Sequence, residues 1–219
     1  ELAIETRFYS GQKSWLLPKG QRELIAAIIG TVRFQHYRHL KLKYVLFYIW
    51  YLVLSEVIGK YLYDSYATLK LNNALVYNIM ILLMFLFSCL WYRSLLHDVV
   101  KRRILLVFAI IHGVFWLCDG MFIHHMIEGN MTYSFTLGTI FLVVAVAFYF
   151  AEMLNREVVM NVTSSPYFWV SFGLMIFSVA YLPFMIMIEV MQANLVIWSL
   201  VLFMINVIQY CCFSIAFLK

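Results

Sequence analysis

Glu56, Asn78, His112 and Asp119 stand out in this sequence because each lies inside a long apolar run. An ionisable group at that depth in lipid is costly, so it usually faces other helices and serves a purpose there. His112 and Asp119 are seven residues apart, two turns along one helical face, where they could pair or share a proton. Glu189 closes a later run, and His124, His125 and Glu128 follow the run that holds His112. Such a set could line an outward-facing polar pocket for a proton, a cation or a small polar ligand. Equally, these groups could sit at the headgroup level or hydrogen-bond to neighbouring helices. Asn78 and Asn206 are most simply read as interhelical hydrogen-bonding groups.

Recognisable catalytic chemistry is missing from the pattern. There is no GxSxG, P-loop, GxGxxG or HExxH. The paired acids of an intramembrane aspartyl protease and the Ser/His dyad of a rhomboid protease are not seen, and no lysine lies within the last apolar run to hold retinal. An enzyme is therefore not expected. His124 and His125 are adjacent without an HxxxH spacing, and zinc would need three or four ligands converging from separate helices. No metal and no cofactor are expected. The four cysteines, Cys89, Cys118, Cys211 and Cys212, lack a CxxC spacing and read as small buried hydrophobes.

The elements that must position these residues follow from composition. Of 219 residues, 64% are hydrophobic and 12% charged, too few polar groups to cover a soluble domain. Six apolar stretches reach the roughly 20 residues that a helix needs to cross a bilayer: 44–63, 74–92, 104–123, 133–154, 167–190 and 195–218. Helices satisfy their own backbone hydrogen bonds in lipid, and no stretch alternates as a barrel strand does. The expected fold is all-α, a polytopic transmembrane helix bundle whose sequential helices pack antiparallel across short loops. Residues 44–219 form that bundle. Residues 1–43 form a polar N-terminus with a short amphipathic or membrane-entering helix over 24–32. That helix is interfacial, re-entrant or a seventh span. Lys19, Arg22 and Glu23 favour the first two, because charges near the bilayer centre cost about 2.5–3.5 kcal/mol each. No cleavable signal peptide is expected. Pro166 opens the fifth long run, and Pro183 within it predicts a kink and is a candidate hinge.

Charge sets the orientation. The formal charge is +5. Arg33, Arg38, Lys41 and Lys43 precede the first long run, Arg93, Lys101, Arg102 and Arg103 fill the next turn on that side, and Arg156 and Lys219 follow. The intervening turns hold Asp64, Lys70 and Glu128. The basic side, with the C-terminus, is expected in the cytoplasm. Nucleic-acid binding is not expected, since no basic stripe with interleaved aromatics lies outside the first 43 residues. The lipid bilayer is the expected partner, with a further protein partner in the membrane or at the basic face. Trp50, Tyr51, Tyr63, Trp91, Tyr92 and Trp169, at span ends, read as interfacial anchors.

Three stretches carry a family likeness: RFQHYRHLKLKYVLFYIWYLVLSEVIGKYL with Glu56, NNALVYNIMILLMFLFSCLWYRSLL with Asn78, and SSPYFWVSFGLMIFSVAYLPF followed by ANLVIWSLVLFMINVIQYCCFSIAFLK. From about residue 24 onward the chain resembles uncharacterised small seven-helix inner-membrane proteins of Bacteroidota, which are similar to the membrane sensor halves of histidine kinases without the kinase. The resemblance implies a signal-sensing or partner-docking module with seven spans, and the chain departs from it at the short, charge-interrupted first helix. The expected function is thus a non-enzymatic sensory or partner-binding module of a bacterial inner membrane. The alternatives are a transporter or channel subunit with an outward-facing polar pocket, or a structural subunit of a larger membrane complex.

Overall fold

A computed structural model describes residues 21–64, 73–123, 126–127, 131–155, 159–191 and 195–219. The described residues form seven α-helices: α1 (Gln21–Tyr37), α2 (Leu42–Asp64), α3 (Ala74–Leu95), α4 (Val99–Phe122), α5 (Thr132–Leu154), α6 (Pro166–Met191) and α7 (Leu195–Leu218). One turn of 3-10 helix, Val159–Ser164, precedes α6. Each helix from α2 to α7 contains a segment long and apolar enough to cross a membrane. The chain is an integral membrane protein, an all-α bundle.

Six helices form a ring by their contacts, in the order α1, α2, α3, α5, α6, α7 and back to α1. Helix α4 packs on the outside, against α3 and α5. Large apolar side chains point away from the bundle, among them Phe47, Val57, Ile110, Val114 and Met204. In water such a surface would aggregate; in a bilayer it meets acyl chains.

Small residues let α1 approach its neighbours. Ala26 and Ala27 are fully buried, and a Cβ added at Gly30 would stand 2.7 Å from Leu46 Cδ1 and 3.0 Å from the Phe217 ring. This is the small-residue spacing by which helices pack closely in lipid. At the end of α1, the buried Tyr37 donates to the Gly30 carbonyl at 2.5 Å and stacks on Phe217, with ring centroids 5.2 Å apart. Arg22 at the other end lies beside Phe203. Helix α1 therefore runs along α7 in the same direction, between α7 and α2. Helix α1 is part of the ring, and over its described residues it is not among the helices long and apolar enough to cross a membrane.

The basic turns gather at one end. The Lys41 N–H donates to the Tyr167 hydroxyl, its ammonium donates to the Ser94 carbonyl, and its own carbonyl accepts from Trp91 Nε1. The turn before α2, the end of α3 and the start of α6 are thus joined there, with Tyr37 and Phe217 close by. Trp91 and Tyr92 are buried and are not the interfacial anchors expected of them. The reason is that each polar tip finds a protein partner: Trp91 donates to Lys41, and the Tyr92 hydroxyl to Ser171 Oγ at 3.0 Å.

Helix α6 continues through Pro183 to Met191, with Pro183 on its exposed side. The expectation of buried cysteines holds for two of the four. Cys89 and Cys212 are buried, whereas Cys118 and Cys211 are exposed on the apolar surface.

Candidate functional site

Two polar residues of α3 and α4, Asn78 and Asp119, are held by the chain itself. Asn78 is fully buried, as are His112 and Asp119. Its Nδ2 donates to the Met126 carbonyl at 2.9 Å, its Oδ1 accepts from the Met131 N–H at 3.2 Å, and its backbone carbonyl accepts from Trp116 Nε1 at 2.9 Å. One side chain thereby supplies hydrogen bonds to backbone between α4 and α5, where lipid could supply none. Asn78 thus ties α3 to the segment that leads into α5 and to Met131, the residue that caps α5. Asn206 donates to the Leu202 carbonyl of its own helix.

Asp119 acts at the start of α5. Its Oδ2 accepts from the Ser134 N–H at 3.0 Å and from the Ser134 hydroxyl at 2.5 Å. The first turn of a helix has N–H groups without intrahelical partners and a positive dipole end. A carboxylate from α4 satisfies both, so Asp119 caps α5 from a neighbouring helix.

His112 is not joined to Asp119. Its Nδ1 and Nε2 are buried with no hydrogen-bond partner among the described residues. Its ring instead meets the edge of Phe85, with centroids 5.2 Å apart. Phe85 in turn lies over Gly138, where a Cβ would come within 2.3 Å of the ring. The imidazole is thus set in an aromatic layer between α3, α4 and α5.

A second group of polar residues lies where α1, α2 and α7 meet. The Tyr210 hydroxyl of α7 is hydrogen-bonded to the Glu23 carboxyl of α1, and Glu56 and Tyr48 of α2 lie within electrostatic range of it. Arg22 Nη1 donates to the Phe203 carbonyl at 3.1 Å, and its guanidinium stands 4.5 Å from the centre of the Phe203 ring. Glu23 Oε2 and Arg22 Nε are buried with no hydrogen-bond partner among the described residues. Tyr210 itself is buried. The structure brings Glu56 into this group, away from Asn78, His112 and Asp119. Arg22 and Glu23 were read in the sequence only as an obstacle to insertion. Their position beside a nine-residue apolar stretch was the available signal. Three helices here bring two carboxyl groups and two phenols near one another, with Arg22 beside Glu23 in the chain.

The other expected residues are more scattered. His124 and His125 lie outside the described residues, as do Glu128 and Arg156. Glu189 falls within α6, its side chain outside what is described. Among the described residues no group of three His, Cys, Asp or Glu side chains could hold a metal ion. On the basic side, Arg93, Arg102 and Arg103 line one groove with Val99 and Leu106. Lys101 is partnered instead, 3.8 Å from Glu152 Oε1 and 4.0 Å from Asp98 Oδ2. Glu152, which sequence reading passed over, also accepts from the His97 and Asp98 N–H groups at 2.9 and 3.0 Å.

The fold and these groups define a multi-pass helical membrane protein with ionisable side chains at a helix junction. No family model, curated protein or solved structure matches the chain.

Proposed function

We propose that the chain is a non-enzymatic sensory or partner-binding module of a bacterial inner membrane, with the α1–α2–α7 junction as its responsive part. One observation carries this reading: Glu23, Glu56 and Tyr210 come near one another from three helices, and Glu23 Oε2 and the neighbouring Arg22 Nε are buried with no hydrogen-bond partner among the described residues. Ionisable groups in lipid mark functional sites by default. Bringing a charge to the bilayer centre costs about 2.5–3.5 kcal/mol, so gaining or losing one here shifts a two-state helix arrangement by roughly a hundredfold. A proton, a cation or a partner's side chain acting on Glu23 and Glu56 would thus bias how α1 sits against α2 and α7. The hydrogen bonds of Asn78 and Asp119 to loop and helix start support a stable remaining bundle against which α1 moves. The C-terminus and the basic turns face the cytoplasm in this reading, by the usual bias of arginine and lysine.

The test uses full-length protein in lipid nanodiscs with spin labels at Ile28 on α1 and Ile111 on α4, both exposed. Replacing Glu23 and Glu56 together by Gln is expected to change the interspin distance distribution. An unchanged distribution would support a purely structural subunit and contradict the proposal.

A further inference from the structure

We infer that Arg93, Arg102 and Arg103 form a binding site for the phosphate headgroup of an anionic phospholipid on the basic face of the bundle. The site does not depend on the junction of α1, α2 and α7. A groove of about 230 Å³ is lined by these three arginines together with Val99 and Leu106. Arg93 comes from the last turn of α3, and the other two from the start of α4. Arg102 and Arg103 are exposed, and none of the three has an ion-pair partner among the described residues. Lys101, between them in the chain, is the one whose charge is met, by Asp98 and Glu152. The two acids of this turn are therefore engaged elsewhere, Asp98 also accepting from the Val100 N–H and Glu152 from the His97 and Asp98 N–H groups.

The position of the charges calls for an anion. The start of a helix is the positive end of its dipole, where cations are unfavourable and anions are favoured. Asp98 caps the start of α4 by accepting from the Val100 N–H, and Lys101, Arg102 and Arg103 follow directly, so three cations stand against one capping carboxylate at this positive end. Guanidinium groups form paired hydrogen bonds to phosphate oxygens, which a lysine cannot do. The apolar lip distinguishes a lipid from a free anion. Val99 is 57% and Leu106 37% exposed, and from Leu106 an exposed apolar line runs along α4 through Ile110, Val114, Leu117 and Met121. Helix α4 is also the one outside the ring, with its outer side open to lipid. A lipid with its phosphate among the arginines would lay its acyl chains along that line.

The experiment is native mass spectrometry of the full chain in detergent with phosphatidylglycerol or phosphatidylcholine added. The wild type is expected to retain phosphatidylglycerol about tenfold to a hundredfold better, at roughly a tenfold gain for one or two juxtamembrane cations. Replacing Arg93, Arg102 and Arg103 by Gln removes the preference, and replacing Arg33 and Arg38 by Gln leaves it. The double variant R102Q/R103Q, which changes only exposed side chains, gives the same loss should the triple variant fail to fold. Equal retention of both lipids by the wild type, or a preference untouched by R102Q/R103Q, overturns the inference. So does displacement of the lipid by millimolar inorganic phosphate or by an acidic peptide, which would make the groove a free-anion or protein site.

Discussion

Single side chains hold this bundle together in ways that their types alone do not announce. Asp119 has the appearance of a titrating group, yet Ser134 gives it two hydrogen bonds at the start of α5. A cap of this kind is worth about 0.5–2 kcal/mol when removed, and leaving the buried Ser134 N–H donor unmet adds about 1–3 kcal/mol. S134A is therefore expected to lower the melting temperature in detergent modestly and D119A more strongly, as followed by thermal unfolding of the purified protein. An unchanged melting temperature for D119A would contradict the capping role. At Gly138 a Cβ would meet Phe85 at 2.3 Å from the ring, too close to be absorbed without movement. G138A should destabilise by about 1–3 kcal/mol, the usual range for overpacking, and F85L in the same chain should recover part of it. Neither role could be read from the sequence. The positions Asn78, His112 and Asp119 were legible because a polar residue in an apolar run is visible locally. Their partners were not, since Asn78 meets Met126 and Met131 across the fold, about fifty positions away.

At the scale of elements, the turn between α3 and α4 depends on Glu152. Both of its carboxylate oxygens accept backbone N–H groups, and Lys101 stands close by. A neutral amide can accept at one oxygen only, so E152Q loses a charge-assisted hydrogen bond, worth about 1.5–3 kcal/mol. Faster hydrogen exchange at His97 and Asp98 in E152Q is the expected outcome, and unaltered exchange there would contradict the clamp. The long helices were legible because apolar length is a local property, and the observed ends differ from the expected ones by at most five residues, with 195–218 unchanged. The first helix was the hard case. Its charges argued for the membrane surface, whereas Ala26, Ala27 and Gly30 supply close packing against α2 and α7. Sequence periodicity reveals those small residues but not which helix they will meet. Replacing Gly30 by Leu should detach α1 from Leu46 and Phe217, seen as faster exchange through residues 22–37. An α1 as protected as in the wild type would show that its packing does not rest on Gly30.

For the molecule as a whole, the ring of helices explains why a chain so poor in charge still has distinct ends. Lys41, Ser94, Trp91 and Tyr167 meet at one end, joined by hydrogen bonds. Tyr37 and Phe217 place the C-terminal end of α7 beside them. The alternation of basic and nearly uncharged turns already carried this two-ended order. What it could not carry was the contact order around the ring, because helices that are all apolar on their outer sides offer little pattern to choose neighbours by. The central claim is that six helices cross the bilayer with the basic turns together on one side. The most direct measurement is labelling of single cysteines, placed in a chain freed of its own four, with a membrane-impermeant maleimide in sealed membranes. Cysteines at His39, His97 and Lys219 should react together from one side, and a cysteine at Ile127 only from the other. Labelling of His39 and His97 from opposite sides would contradict it.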